Sequence, residues 1–214
     1  MESSGVMSHS QLTDVRSEVR TFALRPHANQ SRYFRHITSG VNVAPALAEL
    51  QANPHLWVGQ QALIEPTPYD AEAKYIWLRY RDLDDYVRKY GRSGDHFADE
   101  HESVWPPPAA LLPYTAKLAA ALAGPRRLGG VLLSYLPPKC GIKPHIDAGW
   151  HAAAHDKLYC ALQVRPGARF CWEDGAIDAQ DGDVYCFRDD ALHWEENDSD
   201  APRVSMIVFL GRPN

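Results

Sequence analysis

Three residues in the C-terminal half have the types and spacing of a metal site. His145 and Asp147 form an H-x-D motif, and His193 lies 48 residues further along the chain. If the motif lies on a strand, positions i and i+2 point to one face, so both side chains could bind one metal. Two imidazoles and one carboxylate form the facial triad of non-haem iron sites. This triad leaves the other coordination positions of the metal open. The three residues therefore predict an iron site, although H-x-D alone also arises by chance.

A candidate anion site follows the triad in sequence. Arg203 lies ten residues after His193, and Ser205 would share its strand face two residues later. A guanidinium binds a carboxylate through two parallel hydrogen bonds, and a neighbouring hydroxyl adds a donor. The pair is therefore suited to holding a dicarboxylate. The alternative is an ordinary salt bridge from Arg203 to Asp198 or Asp200.

Aromatic and basic residues near these sites are candidates for contacts with a substrate. Trp77 and Arg79 should share a face of the strand AKYIWLRYR, because side chains alternate along a strand. Trp150 follows the first metal ligands closely and should border the pocket, whereas Trp194 should point away from the face that carries His193. For Trp77 and Arg79, a core tryptophan beside a surface arginine is an equally good reading.

The segment AGWHAAAHDK holds two histidines, His151 and His155, at a spacing that could bind metal on a helix. We favour a loop that covers the site. The segment 92–105 is polar and acidic, which also indicates a loop.

The elements that must position these residues change in character along the chain. Residues 43–54 and 108–124 have the composition of helices, with Pro54 ending the first and Gly124 and Pro125 ending the second. After Pro125, short strand-like runs alternate with turn signals such as Pro166-Gly167 and Asp181-Gly182. This spacing is typical of a jelly roll. We therefore predict an α+β fold, with a cupin-like double-stranded β-helix over about 127–211 and N-terminal helices packed against it.

The bulk properties fit one domain. The chain has 214 residues, a net charge of −5, 45% hydrophobic and 23% charged residues, as in ordinary globular proteins. We expect residues 1–20 to form a flexible tail and residues 21–214 a single domain. The sequence has no basic stripe, which makes nucleic acid an unlikely partner. It also has no long apolar run and no N-terminal signal-like segment, so the expected location is cytoplasmic.

Two stretches carry a resemblance to a known family, SYLPPKCGIKPHIDAG and DGDVYCFRDDALHWEENDSDAPRVSMIVF. An H-x-D motif, a histidine about fifty residues on and an arginine ten later resemble the 2-oxoglutarate-dependent oxygenases. Over roughly residues 73–211 the chain is most similar to the aspartyl/asparaginyl β-hydroxylase-like family, including its short bacterial and phage members. Vertebrate-type members have glycine where this chain has Asp147, so the chain resembles the branch with a full triad. A retained carboxylate also argues against a halogenase.

The resemblance implies roles for individual residues. His145, Asp147 and His193 would bind Fe(II), and Arg203 would pair with the far carboxylate of 2-oxoglutarate. Further contacts to this cosubstrate would come from Ser134, Ser205, Tyr159 and Lys157; the last two stand where the family often has a histidine and an arginine. The implied reaction uses O2, releases succinate and CO2, and hydroxylates an unactivated C–H bond. The implied substrate is an aspartyl or asparaginyl side chain in a peptide, or a free amino acid, while the oligomeric state is not predicted.

Two other functions are compatible with the same residues. The first is a non-catalytic, cupin-like metal-binding or sensor module. The second is a metal enzyme on the same barrel that needs no cosubstrate. Arg203 distinguishes the second, because such an enzyme has no use for a dicarboxylate anchor.

Overall fold

The computed structural model describes residues 29–59, 72–90 and 103–212. The tail predicted for residues 1–20, the start of the domain at residue 21 and most of the loop predicted for 92–105 lie outside these residues. The single-domain boundaries therefore stay a prediction.

The N-terminal half contributes short strands and helices, of which the first helix follows the sequence prediction closely. In chain order the elements are β1 (Phe34–Thr38), α1 (Ala44–Ala52), β2 (Val58–Gly59), β3 (Lys74–Arg81), α2 (Leu83–Tyr90), β4 (Ser103–Val104), α3 (Pro108–Leu111) and α4 (Pro113–Ala123). A single turn of 3-10 helix, Pro54–Leu56, follows α1. Pro54 ends α1 as expected, because proline cannot continue the hydrogen-bond ladder.

The helix predicted over 108–124 is two helices, and the single-helix prediction is wrong. The break falls at Leu112, whose backbone leaves the helical region at φ −126° and ψ 53°. Pro113 explains it, since proline lacks an N–H and disfavours a helical residue before it. The predicted end is correct, with Gly124 at φ +57° after the last helical residue.

The C-terminal half is made of strands with one short helix. These elements are β5 (Leu128–Leu136), β6 (Cys140–His145), α5 (Trp150–Ala154), β7 (His155–Gln163), β8 (Ala168–Trp172), β9 (Gly175–Ile177), β10 (Val184–Phe187), β11 (His193–Asn197) and β12 (Arg203–Gly211). The segment predicted to be a loop over the site is therefore the helix α5 followed by the start of β7. This expectation is corrected, although α5 is only about one turn long.

Two antiparallel sheets form the barrel. The large sheet has the order β1-β10-β7-β12-β5-β3-β2, with β4 paired to β3, and the small sheet has the order β6-β11-β8-β9. An apolar core of largely aromatic residues fills the space between the sheets, and a second, aliphatic core lies between the large sheet and the helices. This is the predicted double-stranded β-helix with helices packed against it.

A β-bulge in β3 separates two residues that were expected to share a face. Trp77 lies opposite Leu132 of β5, but Arg79 lies opposite the adjacent residue, Val131. Adjacent residues of a strand point to opposite faces, so Trp77 faces the barrel interior and Arg79 faces the helices. The shared-face prediction is therefore wrong, because an extra residue shifts the alternation.

Two glycines of β5 make room for large side chains inside the barrel. A Cβ on Gly129 would come within 2.4 Å of His155 Nε2, and one on Gly130 would come within 2.6 Å of the Phe209 ring.

Within the described ranges, no helix is long and apolar enough to cross a membrane.

Candidate metal centre and anion pocket

The three predicted metal ligands meet at one end of the small sheet. β6 ends at His145 and β11 begins at His193, and these residues lie directly opposite each other in the sheet. Asp147 follows two residues after His145, and its Oδ1 lies 3.5 Å from His145 Nε2. One ligand atom from each of the three residues lies within 4.8 Å of the others. The structure therefore brings together a cluster with the composition of a facial triad.

Backbone carbonyls set the tautomer of both histidines. His145 Nδ1 lies 2.8 Å from the oxygen of Lys143, and His193 Nδ1 lies 2.8 Å from the oxygen of Ala191. A carbonyl only accepts hydrogen bonds, so Nδ1 carries the proton and Nε2 carries the lone pair that can bind a metal.

The surroundings of His193 keep its imidazole neutral. Burial, and next the neighbouring His145, lower the pKa of His193 to about 4. The ring stacks on Trp172 at a centroid distance of 6.0 Å and meets Phe170 edge-on at 5.6 Å. Neutral imidazole is the form that binds metals, so His193 is ready for this role at neutral pH.

A buried lysine contacts the acidic member of the triad. Lys157 Nζ lies 2.6 Å from Asp147 Oδ2 and 2.6 Å from Asp189 Oδ2, and 3.2 Å from His151 Nδ1. Burial alone would raise the pKa of Asp147. The Lys157 ammonium acts in the opposite direction and holds the pKa of Asp147 well below its usual range. Burial disfavours the charge on Lys157, yet the two carboxylates raise its pKa. Burial raises the pKa of Asp189 although the Lys157 ammonium opposes this, so the ion pair of Lys157 with Asp147 is the one that the pKa shifts of both partners support.

The sequence did not indicate Asp189 as a neighbour of the triad, and it placed His151 only in a segment that covers the site. Asp189 lies beyond β10, and its backbone oxygen also accepts a hydrogen bond from the Asp147 N–H at 3.0 Å. Lys157 lies beside Asp147, a predicted metal ligand, and its predicted contact with the cosubstrate stays a prediction.

The predicted anion site forms a second, fully buried cluster between the sheets. Ser205 of β12 lies opposite Ser134 of β5, and Arg203 is on the same face of β12. All three are at most 4% exposed. Among the described residues, no hydrogen-bond partner meets Nε or Nη2 of Arg203, or Oγ of either serine. Buried polar groups without partners are costly, so this cluster has the composition of an anion site.

Arg203 has a partner that the sequence did not indicate. Its Nη1 donates to Glu195 Oε2, whereas Asp200 pairs with Lys139 at 2.8 Å. The alternative of a surface salt bridge to Asp198 or Asp200 is therefore wrong. Burial opposes the charge of Arg203, but Glu195 raises the pKa of the guanidinium above its usual value. The available signal was the spacing of Glu195, two residues after His193 and so on the same strand face.

Tyr159 lines the same pocket. The Arg203 guanidinium lies 5.1 Å from the centre of the Tyr159 ring and 5.7 Å from that of Phe170. Burial raises the pKa of the Tyr159 phenol, so it stays protonated and can donate a hydrogen bond.

The predicted substrate residues are not gathered in one place. Trp77 packs against Tyr80 and Phe209, at centroid distances of 4.3 and 5.8 Å, inside the barrel. Arg79 lies on the other face, with its guanidinium 5.3 Å from the exposed Trp105 ring. Trp150 begins α5, and its side chain lies outside the described part of the chain.

The two remaining sequence predictions have different outcomes. Trp194 packs on the outer face of the small sheet with Cys171 and Ala176, away from the His193 face, as predicted. His155 lies fully buried on β7, whereas His151 reaches the Lys157 cluster from α5.

The fold and the His/Asp cluster define a class, the oxygenases built on a double-stranded β-helix. A crystal structure of a 2OG-Fe(II) oxygenase family oxidoreductase from Burkholderia pseudomallei matches 98% of this chain and 95% of its own, with TM-score 0.53 and 13% identity. A prolyl hydroxylase from Trichoplax adhaerens, in complex with a hypoxia inducible factor oxygen degradation domain peptide fragment, matches 96% and 94%, with TM-score 0.54 and 13% identity. At such identities the likeness shows the shared fold.

The sequence itself identifies the family. The family model "Aspartyl/Asparaginyl beta-hydroxylase" matches residues 74–213, well over half of the chain. The protein therefore belongs to the aspartyl/asparaginyl β-hydroxylase family and is an oxygenase enzyme, which confirms the predicted resemblance. No curated protein gives a significant match to the sequence.

Proposed function

We propose that the protein is an Fe(II)- and 2-oxoglutarate-dependent hydroxylase. It would hydroxylate an unactivated C–H bond of its substrate, which would be an amino acid or an aspartyl/asparaginyl-type side chain. The observation that carries this proposal is the pairing of two unlike sites in one barrel. One is a His/Asp/His cluster, and the other is a buried guanidinium with unmet donors.

The residues present fit a ferrous ion. His145, His193 and Asp147 would hold it, through two neutral Nε2 atoms and one carboxylate oxygen, a donor set that suits non-haem Fe(II). Together with O2 and 2-oxoglutarate, iron supplies the oxidation that yields succinate, CO2 and a hydroxylated product. The protein contributes the geometry and the exclusion of water.

The anion pocket fits the far carboxylate of 2-oxoglutarate. Arg203 would bind it through Nε and Nη2, which have no hydrogen-bond partner among the described residues, and Ser134 and Ser205 would add hydroxyl donors. Tyr159 would hold the same end, as its position beside Arg203 supports. A carboxylate in so buried a place needs such partners, because an unpaired charge there is strongly disfavoured.

The substrate would approach from the metal end, where the ligands are partly exposed. Phe209 lies beside Lys157 and packs against Trp77, so these two rings would supply apolar walls there. Lys157 is already neutralised by two carboxylates, so it offers little net charge to an acidic substrate. The Trichoplax relative is in complex with a peptide fragment, and peptides accordingly stand beside free amino acids among the candidates. We also propose a cytoplasmic location and a single oxygenase domain over residues 21–214.

An anaerobic titration of Fe(II)-loaded protein with 2-oxoglutarate tests the proposal. We expect a weak visible charge-transfer band when the cosubstrate chelates the metal. The band should vanish in His145→Ala and need far more 2-oxoglutarate in Arg203→Met. The exposed His36→Ala variant is the matched control and should behave as wild type.

A folded, iron-loaded protein that gives no band with 2-oxoglutarate would refute the cosubstrate assignment. The protein could also give the band and yet release no succinate in air, not even the small amount that an oxygenase forms without its substrate. This result would favour the non-catalytic metal-binding module that the sequence also allowed. Succinate release that depends on a candidate amino acid or peptide would identify the substrate class.

A further inference from the structure

We propose that Lys157 is a positioning residue that fills a second cation position beside the iron site and keeps the centre mononuclear. The inference rests on the proposed iron site and concerns how its carboxylate ligand is held.

The ammonium of Lys157 has the surroundings of a bound cation. Its Nζ donates hydrogen bonds to Asp147 Oδ2 at 2.6 Å and to His151 Nδ1 at 3.2 Å, and it forms an ion pair with Asp189 Oδ2 at 2.6 Å. An ammonium is a compact charge with three N–H donors, and here all of its polar neighbours are groups that accept protons or carry negative charge. The side chain is only 3% exposed, and its charge lies 4.9 Å from the Phe209 ring centre. Water therefore does little to compensate this charge.

Without the lysine, the same three acceptors have the composition of a metal site. Asp147, His151 and Asp189 each offer one ligand atom, and these atoms lie within 4.8 Å of one another. The set shares Asp147 with the triad, and the two oxygens of this carboxylate face different neighbours. Oδ1 lies towards His145, and Oδ2 contacts Lys157. A carboxylate shared between two cations is the arrangement of two-metal sites, whose ions lie roughly 3.5–4 Å apart.

The lysine therefore replaces a second ion by a charge that is fixed to the chain. It neutralises the surplus carboxylate and occupies the oxygen of Asp147 that a second metal would take. Asp189 holds Asp147 in place in two ways. Its carboxylate pairs with Lys157, which contacts Asp147, and its backbone oxygen accepts a hydrogen bond from the Asp147 N–H at 3.0 Å. The outcome is one carboxylate oxygen directed at the histidines, as a facial triad requires.

Counting bound Mn2+ in the full-length protein tests this inference without any need for turnover. Equilibrium dialysis should give one ion per chain in wild type. In Lys157→Ala the vacated space and the uncompensated carboxylates should admit a second ion, with the electron paramagnetic resonance spectrum of a coupled pair. Lys157→Arg, which keeps the cation, should bind one ion. Lys157→Ala combined with Asp189→Asn should return to one ion, because the second site loses a ligand.

One ion and an unchanged spectrum in Lys157→Ala would overturn the inference. If that variant does not fold, Lys157→Met keeps the stem against Phe209 and removes only the charge. Asp147 can then turn both oxygens to the ion, so the Mn2+ spectrum should differ from wild type, and an identical spectrum would equally overturn the inference. Failure of wild type to bind any Mn2+ would instead contradict the proposed function.

Discussion

The metal end and the anion end of the barrel differ in how the chain builds them. The triad residues lie at strand ends and in the loop after β6, with 17% of the His145 side chain and 25% of the Asp147 side chain exposed. Arg203, Ser134 and Ser205 lie within paired strands and are almost completely buried. Under the proposed function, a large substrate would reach only the first end, and the second end would hold a small anion.

The two ends also differ in how their charges are balanced. At the metal end, one ammonium faces two carboxylates, which leaves a net negative charge that favours a cation. At the anion end, one guanidinium faces one carboxylate, Glu195, and still has unmet donors. The proposed ligands would supply what each end lacks: a cation would balance the carboxylates at the metal end, and a carboxylate would accept hydrogen bonds from the donors at the anion end.

The largest expected effect is the loss of a triad imidazole. His193→Ala should lower the affinity for Fe(II) or Mn2+ by more than about 100-fold, since even partners outside the coordination sphere contribute about 10- to 100-fold. The anion end should remain intact, because β12 is untouched. Equilibrium dialysis measures the metal, with His36→Ala as control. Metal binding at wild-type strength in His193→Ala would remove this histidine from the site.

Arg203→Met should break the anion end and spare the metal end. Removing one partner of a buried ion pair typically costs about 3–5 kcal/mol, so the free energy of unfolding should fall by that order in urea denaturation. Metal binding should persist while 2-oxoglutarate binding is lost. Arg203→Met with Glu195→Gln should recover most of the stability but none of the cosubstrate binding. Recovery of both would mean that Arg203 is purely structural.

Acid should weaken the metal end first in metal-free protein. The pKa of His193 is lowered to about 4, and burial and next Lys157 lower that of His151 to about 3. Because these values are depressed, the unfolded state binds more protons below about pH 6.5. Stability should therefore fall as the pH drops from about 6.5 towards 4, by about 1.4 kcal/mol per pH unit for each histidine.

The variant His151→Asn gives the matched measurement for this acid effect. Its free energy of unfolding should depend less steeply on pH over the same window. An unchanged slope would show that the environment of His151 does not oppose its protonation.

The smallest expected effect is at the two serines. Ser134→Ala or Ser205→Ala should weaken 2-oxoglutarate binding by about 1 kcal/mol, or roughly fivefold, the usual contribution of one hydrogen bond. Without ligand these hydroxyls have no hydrogen-bond partner in the part of the chain that the structure describes, so the free energy of unfolding should hardly change. Isothermal titration measures the first effect and urea denaturation the second. A marked loss of stability in either variant would show that the hydroxyl is already satisfied in the folded protein.

The sequence predicted the triad and Arg203 because their signal lies in residue types at fixed spacings. It also predicted the jelly roll, since short strands and turn residues alternate regularly after Pro125. The Lys157–Asp189 and Arg203–Glu195 pairs were missed, because each depends on which segments the fold brings together: Asp189 follows β10, and Glu195 and Arg203 lie in different sheets. The separation of Trp77 from Arg79 was missed for another reason. A bulge changes the alternation, and no residue type in β3 announces it.

Strand β12 carries parts of both ends, and this has a consequence for how the protein would fail. Arg203 and Ser205 lie near its start. Phe209 lies near its end, directly opposite Lys157 of the neighbouring strand β7. All three share one face, so a slip of a single residue in pairing would turn every one of them away from the barrel interior. Deleting one residue from the turn at 198–202 should therefore abolish cosubstrate binding and remove the Phe209 ring from Lys157 as a single event, even in molecules that still form both sheets; isothermal titration with 2-oxoglutarate would measure the loss.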